Sequence, residues 1–322
     1  MITRREFLSR SARGVAWMGL GGSVGGVWPR RAFAADGRVT ILHTNDVHSR
    51  IDPFPEGRGR AAGTGGAARR STLIARIREE NPDSLLLDAG DVFQGTPYFN
   101  LFHGELDFKV MRRLGYDAMT IGNHDFDAGL EGLAAAARHA DFELLSANYD
   151  FSGTLLADRV KPSMIRRVGR AKVGIFGLGV VLKGLVPEKL CAGVTYADPL
   201  ETARRESARL RHDEKCDLVI CLAHLGVDGY HGEPGERDIG RQVGDIDLVI
   251  GGHSHTFMDQ PDRFQHDGRE TLVFQVGWGG INLGRVDFDL AEGRVASARA
   301  CTIPIGHSTG ETVSPTEVPR VV

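Results

Sequence analysis

Short apolar runs rich in Val, Ile and Leu recur along the chain, and most of them stop at a cluster of polar residues or glycines. Runs of this length bounded by turn formers predict buried strands that feed loops. They fall at residues 39–43, 85–88, 118–121, 144–147, 173–178, 218–222, 248–250, 272–276 and 286–290. Segments 68–79, 100–114, 130–139 and 199–212 carry apolar residues at three- and four-residue spacing, with Pro or Gly outside them, which predicts amphipathic helices. Strands alternating with helices give an α/β architecture, with ligands expected beyond the carboxyl ends of the strands. The Pro- and Gly-rich segment 52–66 reads as a solvated connection or as a lid beside a site.

The first 34 residues break this pattern. They open on Thr3-Arg4-Arg5-Glu6-Phe7-Leu8, which resembles a twin-arginine export signal. The Gly-rich apolar run at 15–27 is shorter than the roughly 20 residues a helix needs to cross a bilayer, so a permanent membrane anchor is not expected. Ala32-Phe33-Ala34 supplies a small-x-small cleavage pattern. The expected organisation is a signal peptide over 1–34, a catalytic domain over 35–300 and a partly disordered tail over 301–322, with a periplasmic or secreted location. Composition then bounds the partners. The chain of 322 residues carries 39 Lys and Arg against 42 Asp and Glu, a formal −3. Without the leader, which holds six Arg and one Glu, 33 basic and 41 acidic side chains remain, or −8. An acidic surface disfavours nucleic acid as a partner. The four cysteines show no paired spacing and read as small apolar residues, with one or two disulfides left open.

Candidate chemistry sits where the strands end. Asp46-Val47-His48 follows the first, Gly90-Asp91 the second, Gly122-Asn123-His124-Asp125 the third, and Ala223-His224 and Gly251-Gly252-His253-Ser254-His255 follow two later ones. A lone histidine is more often a satisfied residue than a ligand, but five such ends on one rim are hard to explain structurally. Carboxylate, amide and imidazole donors without thiolate suit two hard-to-borderline divalent ions and disfavour a structural zinc site. Two metals about 3.5 to 4 Å apart need a bridging carboxylate, for which Asp91 is the candidate, and can hold a deprotonated water that attacks phosphorus in line.

The order DxH, GD, GNHD, H, GHxH resembles the calcineurin-like metallophosphoesterase superfamily. The stretches from Leu42 to His48, from Gly90 to Pro97 and from Gly122 to Asp127 are similar to its 5'-nucleotidase branch. The resemblance covers residues 39 to 290 and implies a sandwich of two mixed β-sheets flanked by helices, in four αββα layers. It implies that Asp46, His48 and His255 hold one metal and Asn123, His224 and His253 the other, with Asp91 shared. Mn, Zn, Co and Fe all suit these donors. His124 would stabilise the transition state or protonate the leaving oxygen, and Asp127 would orient its ring; Asp127 also fits a helix N-cap. The implied substrate is a small phosphorylated molecule, a nucleotide first.

Secreted 5'-nucleotidases of this kind carry a second domain whose aromatic residues clamp the base, and the chain stops before it. A separate polypeptide could supply that domain. Phe93, Tyr98, Phe99, Phe102 and Phe108 offer stacking within this chain, although their helical spacing also suits core. Nucleotide-sugar or cyclic-nucleotide phosphodiesterase, a thiosulfohydrolase of sulfur oxidation, and a non-catalytic module that needs a separate nucleotide-binding chain are the alternatives. The filled ligand positions count against the last.

Overall fold

The computed structural model describes residues 37–306 apart from 58 and 60, so the expected signal peptide and most of the expected tail lie outside the described residues. In chain order the elements are β1 (Gly37–Thr44), α1 (Ala67–Glu80), β2 (Ser84–Asp88), α2 (Pro97–Phe102), α3 (Glu105–Leu114), β3 (Ala118–Thr120), α4 (Gly129–Ala137), β4 (Glu143–Leu145), β5 (Tyr149–Asp150), β6 (Val160–Lys161) and β7 (Ser163–Val168). There follow β8 (Ala171–Gly179), β9 (Thr195–Tyr196), α5 (Pro199–Ala208), β10 (Leu218–His224), α6 (Glu236–Gln242), β11 (Leu248–Gly251), β12 (Asp262–His266), β13 (Arg269–Phe274), β14 (Asn282–Ala291) and β15 (Arg294–Pro304).

Two mixed sheets form. One runs β15-β14-β1-β2-β3-β4-β6 and the other β12-β13-β11-β10-β8-β7. The inner strands β1 to β4 pair in parallel, as do β8, β10, β11 and β13, while β14, β15, β7 and β12 join antiparallel. Because successive side chains of a strand point to opposite faces, each strand feeds two cores. Val39, Ile41, Leu85 and Leu87 pack with Ile175, Ile220, Leu222 and Ile250 in a layer between the sheets. Leu42 and Leu86 turn the other way, onto α1, α3 and α4, through Leu73, Ile77, Phe108, Met111 and Leu133. Phe176, Val219 and Cys221 face α5 and α6. The result is the four-layer αββα sandwich implied by the motifs.

Local chemistry sets the helix limits. Thr96 caps α2, accepting the Tyr98 N–H at 3.3 Å, with Pro97 in the first turn. The continuous helix expected over 100–114 is instead broken at His103 and Gly104, both left-handed at φ 48° and 89°. A Cβ on Gly104 would lie 2.1 Å from the Phe93 ring, so only glycine lets the chain pass there. Asp198 caps α5, and the helix expected to reach 212 ends at Ala208 and continues as a π turn over Arg209–Asp213. Among the described residues all four cysteines are unpaired; Cys216 and Cys221 are buried, Cys191 is half-buried and Cys301 is exposed. The fold continues past the boundary expected at 300. β15 reaches Pro304, and the buried Ile305 donates its N–H to Ile281 O and accepts from Gly65 N–H.

Phe288 lies in the layer between the sheets, away from the strand ends, at 1% exposure. Phe288→Ala should lower unfolding free energy by about 3–5 kcal/mol in urea titration. A loss under about 1 kcal/mol would mean that this layer is not a close-packed core.

Candidate metal centre

Parallel pairing brings the ends of β1, β2, β3, β10 and β11 to one rim, and each releases its polar cluster there. Asp46 donates its N–H to Gly90 O, and His48 and Ser49 donate theirs to Asp91 O and Val92 O, so the loops after β1 and β2 are laced together. Asp46, His48 and His255 place one ligand atom each within 4.8 Å of one another, and Asp91, His224 and His253 do the same. His48 and His255 bring their Nε2 atoms to 3.0 Å, and Asp91 Oδ2 lies 3.0 Å from His224 Nε2. Asn123 Oδ1 is 2.8 Å from His253 Nδ1, which adds it to the second group. The two groups touch, since the His253 N–H is 3.0 Å from Asp46 Oδ1. All seven candidate ligands are thus brought together.

These donors fit a metal pair. His48 Nδ1 faces Phe93 O at 3.0 Å and His224 Nδ1 faces Ala89 O at 2.7 Å. A carbonyl only accepts, so each ring keeps a proton on Nδ1 and directs its Nε2 inward, the second contact typical of metal-bound imidazole. The Nε2 atoms of His48 and His255, 3.0 Å apart, suit a shared cation. Burial lowers the pKa of His48, and it lowers that of His253 to about 4 with help from His224, favouring the neutral imidazole a metal requires. Burial would raise the Asp91 carboxyl, but the His224 charge and hydrogen bond, with His48 and His124 beyond, hold it below the usual range. His224 loses by burial and gains more from Asp91, reaching about 10, so its Nε2 holds toward Asp91 a proton that a bound cation would replace.

His124 stands beside this group, its ring 5.4 Å from that of His48. Its Nδ1 is 2.8 Å from Asp127 Oδ2, and that hydrogen bond raises its pKa against the pull of burial. Asp127 therefore faces the ring, while α4 has Ala128 as its N-cap and no side-chain cap. Of the five aromatics considered for stacking, Phe93, Phe99 and Phe108 are core residues between the first sheet and its helices. Tyr98 donates to Asp52 Oδ2 at 2.7 Å, and Phe102 is exposed.

The backbone is bent to make the centre. Asp46, His48, Asp91, His253 and His255 all have positive φ, between 50° and 74°, a region that costs a non-glycine residue of order 1–3 kcal/mol. Four buried side chains that the motifs did not assign hold the loops in place. Asp125 accepts from the N–H groups of Asp91, Val92, Phe93 and Gly122 at 2.8–3.2 Å. Asn45 donates to Asp46 Oδ2 and Gly277 O and accepts the Val276 N–H. Glu236 accepts the Gly252 N–H and the Gln275 amide, and Gln275 also donates to Gly252 O. Asp125 and Asn45 lie inside quoted motifs and so could have been singled out. Glu236 and Gln275 carry no sequence signal.

A family model described as Calcineurin-like phosphoesterase matches residues 39–257. A snake venom 5'-nucleotidase of Gloydius brevicauda is 37% identical over 249 residues, covering 73% of this chain and 40% of its own. The trifunctional nucleotide phosphoesterase protein YfkN of Bacillus subtilis is 33% identical over 310 residues, covering 85% of this chain and 20% of its own. The solved 5'-nucleotidase precursor from Thermus thermophilus superposes with a TM-score of 0.75 at 30% identity, covering 85% of this chain and 55% of that one. The chain thus spans about half, or less, of the length of these relatives.

Asp125→Asn keeps the shape but sets an amide NH2 against two of the four N–H groups. Metal affinity, read by chelator competition, should fall about 10–100-fold with the fold retained by circular dichroism. Unchanged affinity would show that the Asp91 loop does not depend on this carboxylate.

Proposed function

The chain belongs to the calcineurin-like phosphoesterase family, and from that membership and the centre's geometry we propose that it is an exported, dinuclear-metal phosphomonoesterase of the 5'-nucleotidase kind. Metal-dependent phosphoester hydrolysis follows from the family and its 5'-nucleotidase relatives. The observation that carries the finer reading is the pairing of two donor groups across Asp46 and Asp91 with the His124–Asp127 pair beside them.

Asp46, His48 and His255 would hold one divalent ion and Asn123, His224 and His253 the other, with Asp91 between them. When bound, such a pair supplies Lewis-acid charge for the phosphoryl oxygens and an activated water. The chain's own groups do the rest. Asp127 holds the proton on His124 Nδ1 and favours the charged ring, which leaves Nε2–H to donate to the ester oxygen as the alcohol departs. The His124 cation also stabilises charge on the phosphoryl oxygens. No covalent protein intermediate is needed.

Export by the twin-arginine route to the periplasm is supported by Arg4, Arg5 and the small-x-small pattern ending at Ala34. Among the described residues no helix is long and apolar enough to cross a membrane. Nucleotide phosphodiesterase activity is a second reading, favoured by the likeness to a trifunctional nucleotide phosphoesterase.

Full chelation should abolish release of phosphate from AMP, and Mn, Zn or Co should restore it; activity that survives chelation would sink the proposal. Faster hydrolysis of bis-p-nitrophenyl phosphate than of the monoester would favour the diesterase reading. His124→Ala should cut kcat by about 10²–10⁴ with metal content intact by elemental analysis. Loss of metal in that variant would make His124 a ligand instead.

A further inference from the structure

The turn Gly277-Trp278-Gly279-Gly280 lies beside His255, at the edge of the centre. Its three glycines have φ of 90°, 64° and 60°. A Cβ would lie 2.3 Å from the Phe257 ring at 277, 2.9 Å from the Phe54 ring at 279 and 1.9 Å from Arg70 Nη1 at 280. The turn therefore accommodates one side chain, the indole of Trp278. Its backbone is fixed to the ligand loops. Gly277 N–H donates to Thr256 O at 3.0 Å, Asn45 Nδ2 donates to Gly277 O at 2.6 Å, and Gly279 N–H donates to Asp46 O at 2.7 Å. The indole lies nearly parallel to the His255 ring, with centroids 5.7 Å apart and planes 12° apart. Phe54 meets it edge-on at 5.3 Å and 81°, and the Arg50 guanidinium sits 4.2 Å over Phe54. The indole itself is half-buried.

Resting on the nucleotidase reading above, we infer that Trp278 is a specificity-determining residue that receives the base of the leaving nucleoside by stacking, with Phe54 and Arg50 bracing it. A flat ring held one ring outward from a ligand to the phosphate-binding ions matches a phosphoester whose alcohol carries a planar heterocycle. Every nucleobase has a π-face, so such a platform tolerates all of them and favours purines by contact area. An alcohol without a base gains nothing from it.

The test compares the Mn-loaded full chain with Trp278→Ala and Trp278→Phe on AMP, UMP, ribose 5-phosphate and glycerol 2-phosphate. Trp278→Ala should lower kcat/KM for AMP about tenfold, chiefly through KM, and for UMP by less. It should leave the two base-free esters unchanged, and Trp278→Phe should restore most of the loss. An equal loss on all four esters would assign Trp278 to holding the ligand loop, and no loss on AMP would remove it from recognition; either overturns the inference. Failure of the wild type on AMP and UMP, with turnover of the base-free esters, would instead overturn the nucleotidase reading. Binding gives an independent readout. The chain has three tryptophans, so Trp17→Phe with Trp28→Phe leaves Trp278 as the sole emitter. Adenosine should quench it saturably and ribose should not; quenching by neither, or by both alike, counts against stacking.

Discussion

A carboxylate at 1% exposure, as at Asp91, is among the most expensive groups a fold can bury, and it persists only where charges and donors surround it. Here His224 lies 3.0 Å from one oxygen, and the His124 N–H donates to the other at 2.7 Å. Behind it, the Asp125 carboxylate gathers the N–H groups that begin the Asp91 loop and that of Gly122. Burial and the neighbouring Asp91 charge push Asp125 upward, and its N–H donors oppose that. A carboxylate so buried, with the Nε2 of His224 directed at it, makes an arrangement that divalent cations complete. The positions of Asp46, His48 and His253 are tied to this one, because the β1 loop is bonded to the Asp91 loop and the His253 N–H is bonded to Asp46.

Strain is the second constraint. Five of the seven candidate ligands are left-handed, and none of them is glycine. Conformations of that kind survive where the surroundings over-determine them. The parallel strands do this by entering the rim from a close-packed layer between two sheets, and Asn45, Glu236 and Gln275 bind the loops where the strands let go. The glycines among the motifs serve the same end. A Cβ on Gly122 would stand 2.2 Å from Asp91 Oδ1, so a side chain there would displace that carboxylate.

The inner strands and the polar clusters at their ends were legible in the sequence for one reason. A strand buried on both faces is a continuous apolar run, and its end is marked where polar residues begin. Edge strands lack that mark. β7 exposes Ile165, Arg166 and Arg167, and β12 and β15 are mostly half-buried or exposed, so no apolar run announces them. The break between α2 and α3 was hidden because Phe99, Phe102, Leu106 and Val110 keep three- and four-residue spacing across a left-handed pair. Glu236 and Gln275 act on a loop distant in sequence, and only the packing of α6 and β13 beside β11 brings them to Gly252. Of the aromatic residues near Asp91, Phe93, Phe99 and Phe108 serve the core, as helical spacing allowed, while the ring beside the centre comes from a glycine turn near the end of the fold.

Crystallography of Mn-soaked protein with anomalous scattering, alongside metal quantification, tests the paired centre most directly. Two ions per chain are expected, one against Asp46, His48 and His255 and one against Asn123, His224 and His253, with Asp91 touching both. A single ion, or two that leave Asp91 unliganded, would contradict a dinuclear centre built on that carboxylate.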